Sequence, residues 1–203
     1  MQSIHHPLFA AVYERLSRAG GAWEKALRRE IVGAAQGHVL EVGAGTGLNF
    51  AYYDPRRVER IEAVEPDPAM LRYARRRQGE ALVPLQLHQA RVEDLPFADE
   101  TFDSVVATLV FCSVEEPARG FAEIRRVLKP GGLLLLAEHV RAASPVTARL
   151  QDLLTPLMRR CAGNCHWNRA TLTTLTEAGL RVVSRRHEGG GLMPLVIVRA
   201  VKE

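Results

Sequence analysis

Short apolar runs alternate with stretches of helical periodicity along most of the 203-residue chain. The runs that predict strands are rich in Val, Leu and Ile and occupy residues 39–42, 60–64, 83–88, 102–110 and 133–138. Two further runs, residues 180–186 and 195–201, predict a terminal antiparallel pair. Strands that alternate with helices and then end in such a pair predict a three-layer α/β fold with a mainly parallel sheet.

A glycine-rich loop follows the first predicted strand. Gly43, Gly45 and Gly47 stand at alternate positions directly after Val42. Glycine is needed where the backbone turns with unusual dihedrals, or where a ligand approaches main-chain atoms that a Cβ would shield. The strand, the turn and the helix-compatible residues after it therefore predict a cradle for a nucleotide-like ligand.

The spacing of these glycines separates the ligand classes. A dinucleotide fingerprint, G-x-G-x-x-G, would need a third glycine where Leu48 stands, and a P-loop would need a lysine that this loop lacks. The loop G-x-G-x-G, preceded by Glu41, instead resembles the first motif of the class I S-adenosylmethionine-dependent methyltransferases. An acidic residue at this position suits a cationic ligand. The resemblance implies S-adenosyl-L-methionine as the cofactor.

An acidic residue that ends the second strand is the next feature of such a site. Glu65 stands there, placed to accept both hydroxyls of the cofactor's ribose, and its alternative role is to cap the following helix. The resemblance implies further cofactor contacts, namely Ala44, Asn49, Pro66 and Leu109.

The predicted adenine site departs from the family pattern. The turn at residues 92–97 resembles the family's adenine-binding turn, but Arg91 stands where the family usually has an aspartate. Because arginine offers donors only, it cannot accept a hydrogen bond from the adenine amino group. We therefore expect adenine to contact the backbone at Val92 and the apolar side chain of Met70.

Two amphipathic segments lie outside the predicted sheet. Residues 1–36 predict two N-terminal cap helices, which cover either one edge of the sheet or the cofactor. If they cover the cofactor, Tyr13 contacts it.

Residues 141–167 form an insertion that predicts a lid over an apolar acceptor pocket. The alternative is that this insertion covers the domain's own sheet. Its apolar stripe comprises Leu150, Leu153, Leu154, Leu157 and Met158. We assign the whole chain, residues 1–203, to a single domain.

Composition and charge exclude several function classes. The formal net charge of +4 is small and the arginines are scattered, so a nucleic-acid partner is disfavoured and the cluster at residues 72–77 predicts a solvated helix face. No apolar run is long enough to span a membrane and the first residues lack the pattern of a signal peptide, so we expect a cytoplasmic protein. Because that compartment is reducing, we expect the cysteines to be free thiols. Cys161, Cys165 and His166 lack a fourth ligand, so no metal site is predicted.

Three stretches narrow the resemblance within the superfamily. They are residues 108–114 (TLVFCSV), 138–140 (EHV) and 163–169 (GNCHWNR), and all look like the methyltransferase-like seven group. Animal members of that group methylate small thiols and carry an N-terminal membrane anchor, which we do not expect here. The resemblance implies a Rossmann-like methyltransferase fold of seven strands in the order 3-2-1-4-5-7-6, with strand 7 antiparallel.

The implied activity is methyl transfer to a small, apolar acceptor, with a thiol favoured. One alternative is N- or O-methylation of another small molecule, including a phospholipid headgroup, and a second is a cofactor-binding sensor or partner subunit without catalysis. Residues 108–111 lack the Asp/Asn-Pro-Pro-aromatic motif of base-amino methyltransferases. His139, at the end of the fifth strand, is the candidate general base for a thiol, and its alternative role is a hydrogen-bonded strand end. The oligomeric state and a peripheral membrane contact stay open.

Overall fold

The predicted strands form one seven-stranded sheet in a computed structural model, which describes residues 6–18, 21–161 and 163–203. The strands are β1 (Gly37–Val42), β2 (Val58–Val64), β3 (Leu85–His88), β4 (Phe102–Thr108), β5 (Leu128–His139), β6 (Leu180–Glu188) and β7 (Leu195–Lys202). Their order is β3-β2-β1-β4-β5-β7-β6, and β7 runs antiparallel to both of its neighbours while the other pairs are parallel. The predicted fold class and strand order are therefore confirmed.

Six α-helices connect or precede these strands in the described residues. They are α1 (Pro7–Arg18), α2 (Ala22–Val32), α3 (Pro68–Arg77), α4 (Pro117–Val127), α5 (Pro145–Cys161) and α6 (Thr171–Glu177). The start of α3 shows how the sequence sets a boundary. Asp67 accepts a hydrogen bond from the amide of Ala69 at 2.7 Å, and Pro68 supplies the first helical residue, where a missing N–H costs nothing.

The sheet is buried on both faces because successive strand residues point to opposite sides. On one face Leu40 and Leu134 pack with Phe121 of α4, and on the other Val39 packs with Ile31 of α2. Both cores reach the central strands, which explains why β1 and β4 are buried at most of their positions. This packing fixes the carboxyl ends of β1, β2 and β4 relative to one another.

Several element boundaries differ from the sequence expectations. The glycine loop leads into a short 3₁₀ helix, Phe50–Tyr52, and β4 stops at Thr108 because Leu109 adopts a φ of +58°. The fifth strand, expected over residues 133–138, begins at Leu128, and a register shift against β4 accommodates the added residues.

The predicted lid stripe faces the wrong way. Leu150, Leu153 and Leu157 of α5 are exposed. The buried face of the helix carries small or polar residues, namely Ala148, Gln151 and Thr155. Gln151 anchors this face, because its side-chain amide donates to the carbonyls of residues 140 and 192 and accepts from the amide of residue 142. Leu154 and Met158 are half-buried, and none of the five stripe residues lines the cavity at the carboxyl ends of the strands.

Candidate functional site

A cavity of about 560 Å³ lies at the carboxyl ends of β1, β2 and β4, where Val42, Val64 and Thr108 contribute to its wall. Ligands of open parallel sheets bind in this position, and the volume suits a small molecule. Most of the predicted cofactor residues line it, namely Tyr13, Gly43, Ala44, Gly45, Asn49, Glu65, Pro66, Met70, Val92 and Leu109. Glu41 and Gly47 do not line it.

The glycine loop is held in a conformation that side chains would prevent. Gly43 and Gly47 have φ values of +63° and +82°. A Cβ on Gly43 would lie 2.6 Å from Cγ2 of Val110, and a Cβ on Gly47 would lie 2.5 Å from Cε2 of Phe50. These glycines therefore allow the loop to turn sharply between the cavity and the core behind it.

Glu65 joins the loop to the start of α3. Its Oε2 accepts a hydrogen bond from the amide of Gly45 at 2.9 Å, and its Oε1 accepts from the amide of Asp67 at 2.8 Å. Burial raises the pKa of this carboxyl to about 7. Since Asp67 caps α3, Glu65 is free of that alternative role. Each carboxylate oxygen keeps a lone pair for a ligand hydroxyl, so the geometry fits a ribose.

Glu41 lies beneath the cavity floor rather than in its wall. Its carboxyl accepts hydrogen bonds from Nδ2 of Asn49 at 3.1 Å and from the hydroxyl of Tyr53 at 2.7 Å. Burial raises its pKa to about 7. The expected direct contact between Glu41 and a cationic ligand is therefore not what the geometry provides. Glu41 instead orients Asn49, whose Nδ2 also donates to Oγ1 of Thr108 at 3.0 Å.

Arg28 is a cavity residue that the sequence reasoning missed. It lies on α2, and its Nη1 donates to Oδ1 of Asn49 at 2.6 Å. Asn49 is thus held between the carboxyl of Glu41 and the guanidinium of Arg28. The guanidinium places a positive charge beside the glycine loop, where it can pair with a ligand carboxylate.

Arg77 connects the loop to the N-terminal helix. Its Nη1 donates to the carbonyl of Thr46 at 2.8 Å, and its two terminal nitrogens bind the carboxylate of Glu14 at 2.6 and 2.9 Å. The pair is largely buried, with side-chain exposures of 13% and 8%. This contact holds α1 against α3, so that Phe9 and Tyr13 reach the cavity wall.

The expected adenine end of the cavity is lined by Met70, Val92 and Arg91. The guanidinium of Arg91 donates to the carboxylate of Glu115 at 2.8 Å. Its charge is therefore balanced by Glu115, which lines the cavity together with Glu93, and Met70 and Val92 supply the apolar part of this wall.

Another part of the cavity wall is built from segments that the narrower resemblance singled out. Ser113, Asn164 and Arg159 line it, and Nδ2 of Asn164 donates to the carbonyl of Ser113 at 3.0 Å. A second bond, from the amide of His166 to the carbonyl of Cys112 at 2.8 Å, fastens residues 163–169 to the turn after β4. Cys112 and Cys165 are free thiols buried at this junction. The described residues contain no cluster of side chains suited to a metal ion.

His139 lies outside the cavity wall. Its amide donates to Oε1 of Glu138 at 2.9 Å, and burial lowers the pKa of its imidazole. Nδ1 is buried without a hydrogen-bond partner among the described residues. The geometry therefore does not place this imidazole where it could take a proton from an acceptor in the cavity.

Comparison with known proteins decides the class of this site. A family model described as a methyltransferase domain matches residues 40–136. The chain contains a class I S-adenosylmethionine-dependent methyltransferase domain. Its cofactor is S-adenosylmethionine, as predicted. The matched region begins within β1 and ends within β5, so it includes the glycine loop, Glu65 and the adenine end of the cavity.

Two relatives and one solved structure illustrate the range of this methyltransferase family. Thiol S-methyltransferase TMT1B of Rattus norvegicus is 37% identical over 145 residues, which are 69% of this chain and 58% of that protein. Phosphatidylethanolamine N-methyltransferase of Cereibacter sphaeroides is 38% identical over 120 residues, or 58% of each chain. The chain thus spans little more than half the length of these relatives.

The solved structure is geranyl diphosphate C-methyltransferase from Streptomyces coelicolor A3(2) in complex with Mg²⁺, geranyl diphosphate and S-adenosyl-L-homocysteine. It matches with a TM-score of 0.71 at 16% identity and covers 90% of this chain and 77% of that chain. At this identity the match shows a shared fold. Within the described residues of the methyltransferase, no helix is long and apolar enough to cross a membrane.

Proposed function

We propose that this methyltransferase transfers a methyl group to a small apolar acceptor, and that the acceptor is a thiol. The observation that supports the proposal is the continuity of the cavity. Its wall includes Glu65 and Met70, which suit the nucleoside, together with Ser113 and Asn164. A cavity that holds a nucleoside against one part of its wall leaves the rest for the acceptor.

The chain's contribution to methyl transfer is binding, alignment and the exclusion of water. The cofactor supplies an electrophilic methyl group on a sulfonium, so the reaction is an in-line displacement that needs no metal or covalent intermediate. The glycine loop and Glu65 fix the nucleoside, Arg28 pairs with the carboxylate of the amino-acid portion, and Phe9 and Tyr13 cover the cavity from α1. These contacts hold the acceptor atom and the methyl group in line.

Replacing Arg28 by Ala is expected to weaken cofactor binding about tenfold to a hundredfold, because a charged hydrogen bond contributes about 1.5–3 kcal/mol. Isothermal titration calorimetry with S-adenosylhomocysteine measures the change. Arg29→Ala is the matched control, since Arg29 is the next residue of α2 and is exposed. Equal affinities for the two variants would remove Arg28 from the proposed site.

The position of His139 favours a thiol acceptor. His139 does not reach the cavity, and an acceptor such as an alcohol would need a general base for proton removal. A thiol with a pKa of about 8.5 ionises without one near neutral pH. The similarity to a thiol S-methyltransferase supports a thiol as the acceptor. The similarity to a phosphatidylethanolamine N-methyltransferase supports a lipid amine as the second candidate acceptor.

A panel of alkyl and aryl thiols, ethanolamine lipids and RNA, each incubated with S-adenosylmethionine, tests the acceptor class by product mass. We expect methylated thiols, with turnover that rises with pH through the acceptor's pKa. We also expect His139→Ala to change this turnover by less than about threefold, against the hundredfold loss typical of a removed base. Methylation of the lipid amine alone would replace the thiol proposal. Tight cofactor binding without any product would favour the sensor or partner-subunit alternative.

A further inference from the structure

Two helices present large apolar side chains that nothing in the described structure covers. On α1 these are Leu8, Val12 and Leu16, and on α5 they are Val146, Leu150, Leu153 and Leu157. Together we call them the apolar helix face. Leu8 and Leu153 are 78% and 75% exposed, which is costly for leucine in water. Their spacing along each helix puts them on one side, opposite the buried residues Ala10 and Gln151.

The apolar helix face flanks the mouth of the cavity. Phe9 and Tyr13, which alternate with the exposed residues of α1, line the cavity, and so do Arg159 and Gly163 at the end of α5. Helix α1 contacts the segment that follows α5, because a Cβ on Gly163 would lie only 2.7 Å from Cε1 of Phe9. Any surface that covers the apolar helix face therefore also lies close to the entrance for the acceptor.

The charges on these two helices are unbalanced. Arg15, Arg149 and Arg160 are exposed, and within the described ranges none of them has a hydrogen bond or ion pair. The acids of the same helices are already engaged, Glu14 by Arg77 and Asp152 by Arg141. A partner of this face would thus meet apolar side chains accompanied by unpaired positive charge.

We propose that the apolar helix face docks on the surface of an anionic lipid bilayer. Amphipathic helices with leucines on one side and arginines beside them lie in the interface plane, with the apolar side chains below the headgroups and the guanidinium groups among the phosphates. A second copy of the chain is a poorer occupant, because a two-fold contact would bring the same unpaired arginines against each other. Docking does not depend on which acceptor is methylated, and it places the cavity mouth beside the bilayer.

Vesicle flotation with the full chain tests the docking. Phosphatidylglycerol–phosphatidylcholine vesicles should carry the protein upward and pure phosphatidylcholine vesicles should not. The double variant Leu153→Ser/Leu157→Ser and the double variant Arg149→Glu/Arg160→Glu should each lower partitioning about tenfold or more, given the contribution of each buried apolar group and each arginine near the surface. High salt should lower binding of the unmodified chain as well.

Leu82→Ser is the matched control, because Leu82 is 67% exposed but precedes β3, away from the carboxyl ends of the strands. It should leave partitioning unchanged. Circular dichroism and S-adenosylhomocysteine affinity should stay the same in all variants, which separates a docking defect from misfolding. Equal flotation on neutral and anionic vesicles, or no effect of either double variant, would overturn the proposal. Concentration-dependent dimerisation that the Leu153→Ser/Leu157→Ser variant abolishes, without any vesicle binding, would assign the face to a second copy instead.

Discussion

Gly47→Ala is expected to lower the melting temperature by roughly 5–15 °C and to abolish measurable cofactor binding. A non-glycine residue at a φ of +82° costs about 1–2 kcal/mol in strain. The added Cβ would also meet Cε2 of Phe50 at 2.5 Å and Cα of Ala74 at 3.2 Å, and overpacking of this kind costs about 1–3 kcal/mol. Because Phe50 and Ala74 belong to the core behind the loop, the loop itself is expected to shift.

Differential scanning calorimetry and a cofactor titration measure the two effects of this substitution. Gly79→Ala is the control, because Gly79 has an ordinary φ and no atom within 4 Å of its would-be Cβ. We expect the Gly79 variant to melt within about 2 °C of the unmodified chain, since exposed substitutions change stability by about 0.5 kcal/mol or less. If both variants behaved alike, the loop geometry would not be the constraint that the structure indicates.

Glu65→Ala is expected to weaken the binding of S-adenosylmethionine and S-adenosylhomocysteine by about tenfold to a hundredfold, or roughly 1.5–3 kcal/mol. The substitution removes the proposed acceptor for the ribose hydroxyls and also releases the amides of Gly45 and Asp67. Calorimetric titration is the measurement. Glu59→Ala, an exposed change on β2, the strand that precedes Glu65, should bind as the unmodified chain does.

The pH dependence of binding gives an independent test of Glu65. Its pKa is raised to about 7 from an ordinary value of 4.5, so in the ligand-free protein the carboxyl is protonated below about pH 7. Only the ionised carboxylate of Glu65 can accept hydrogen bonds from both ribose hydroxyls. Cofactor affinity should therefore rise with pH up to about 7 and then level off. Glu65→Gln should bind weakly and lose this dependence. A persistent slope in that variant would point to another group, such as Glu41 or Glu138, whose pKa values are also about 7.

The features that the sequence predicted well are local. The glycine loop, the acidic end of β2 and the alternation of strands and helices depend on residues close together along the chain, and the structure brings Gly43, Gly45 and Glu65 to one cavity. The helix starts at Pro68 and Pro117 are local in the same way, because proline suits the first helical turn.

The features that the sequence did not predict depend on which surfaces meet. Helical periodicity identified an apolar stripe on α5, but it could not show that the helix packs through Gln151 and leaves Leu153 exposed. Arg28 was missed for a related reason. An arginine in an amphipathic helix has the pattern of a solvated residue, and only the fold shows that it contacts Asn49 of the loop. His139 was a reasonable candidate by position, yet burial beside β7 turns it away from the cavity.

Arg77 donates hydrogen bonds to both Glu14 and the Thr46 carbonyl, and this shared contact affects how the cofactor enters and leaves. A single guanidinium on α3 holds both the first helix and the loop, and loss of Glu14 would leave a largely buried charge without its counter-ion. We therefore expect α1 and the loop to open together when the cofactor exchanges. A bound nucleoside should then slow amide hydrogen exchange in α1, even at residues that never touch it.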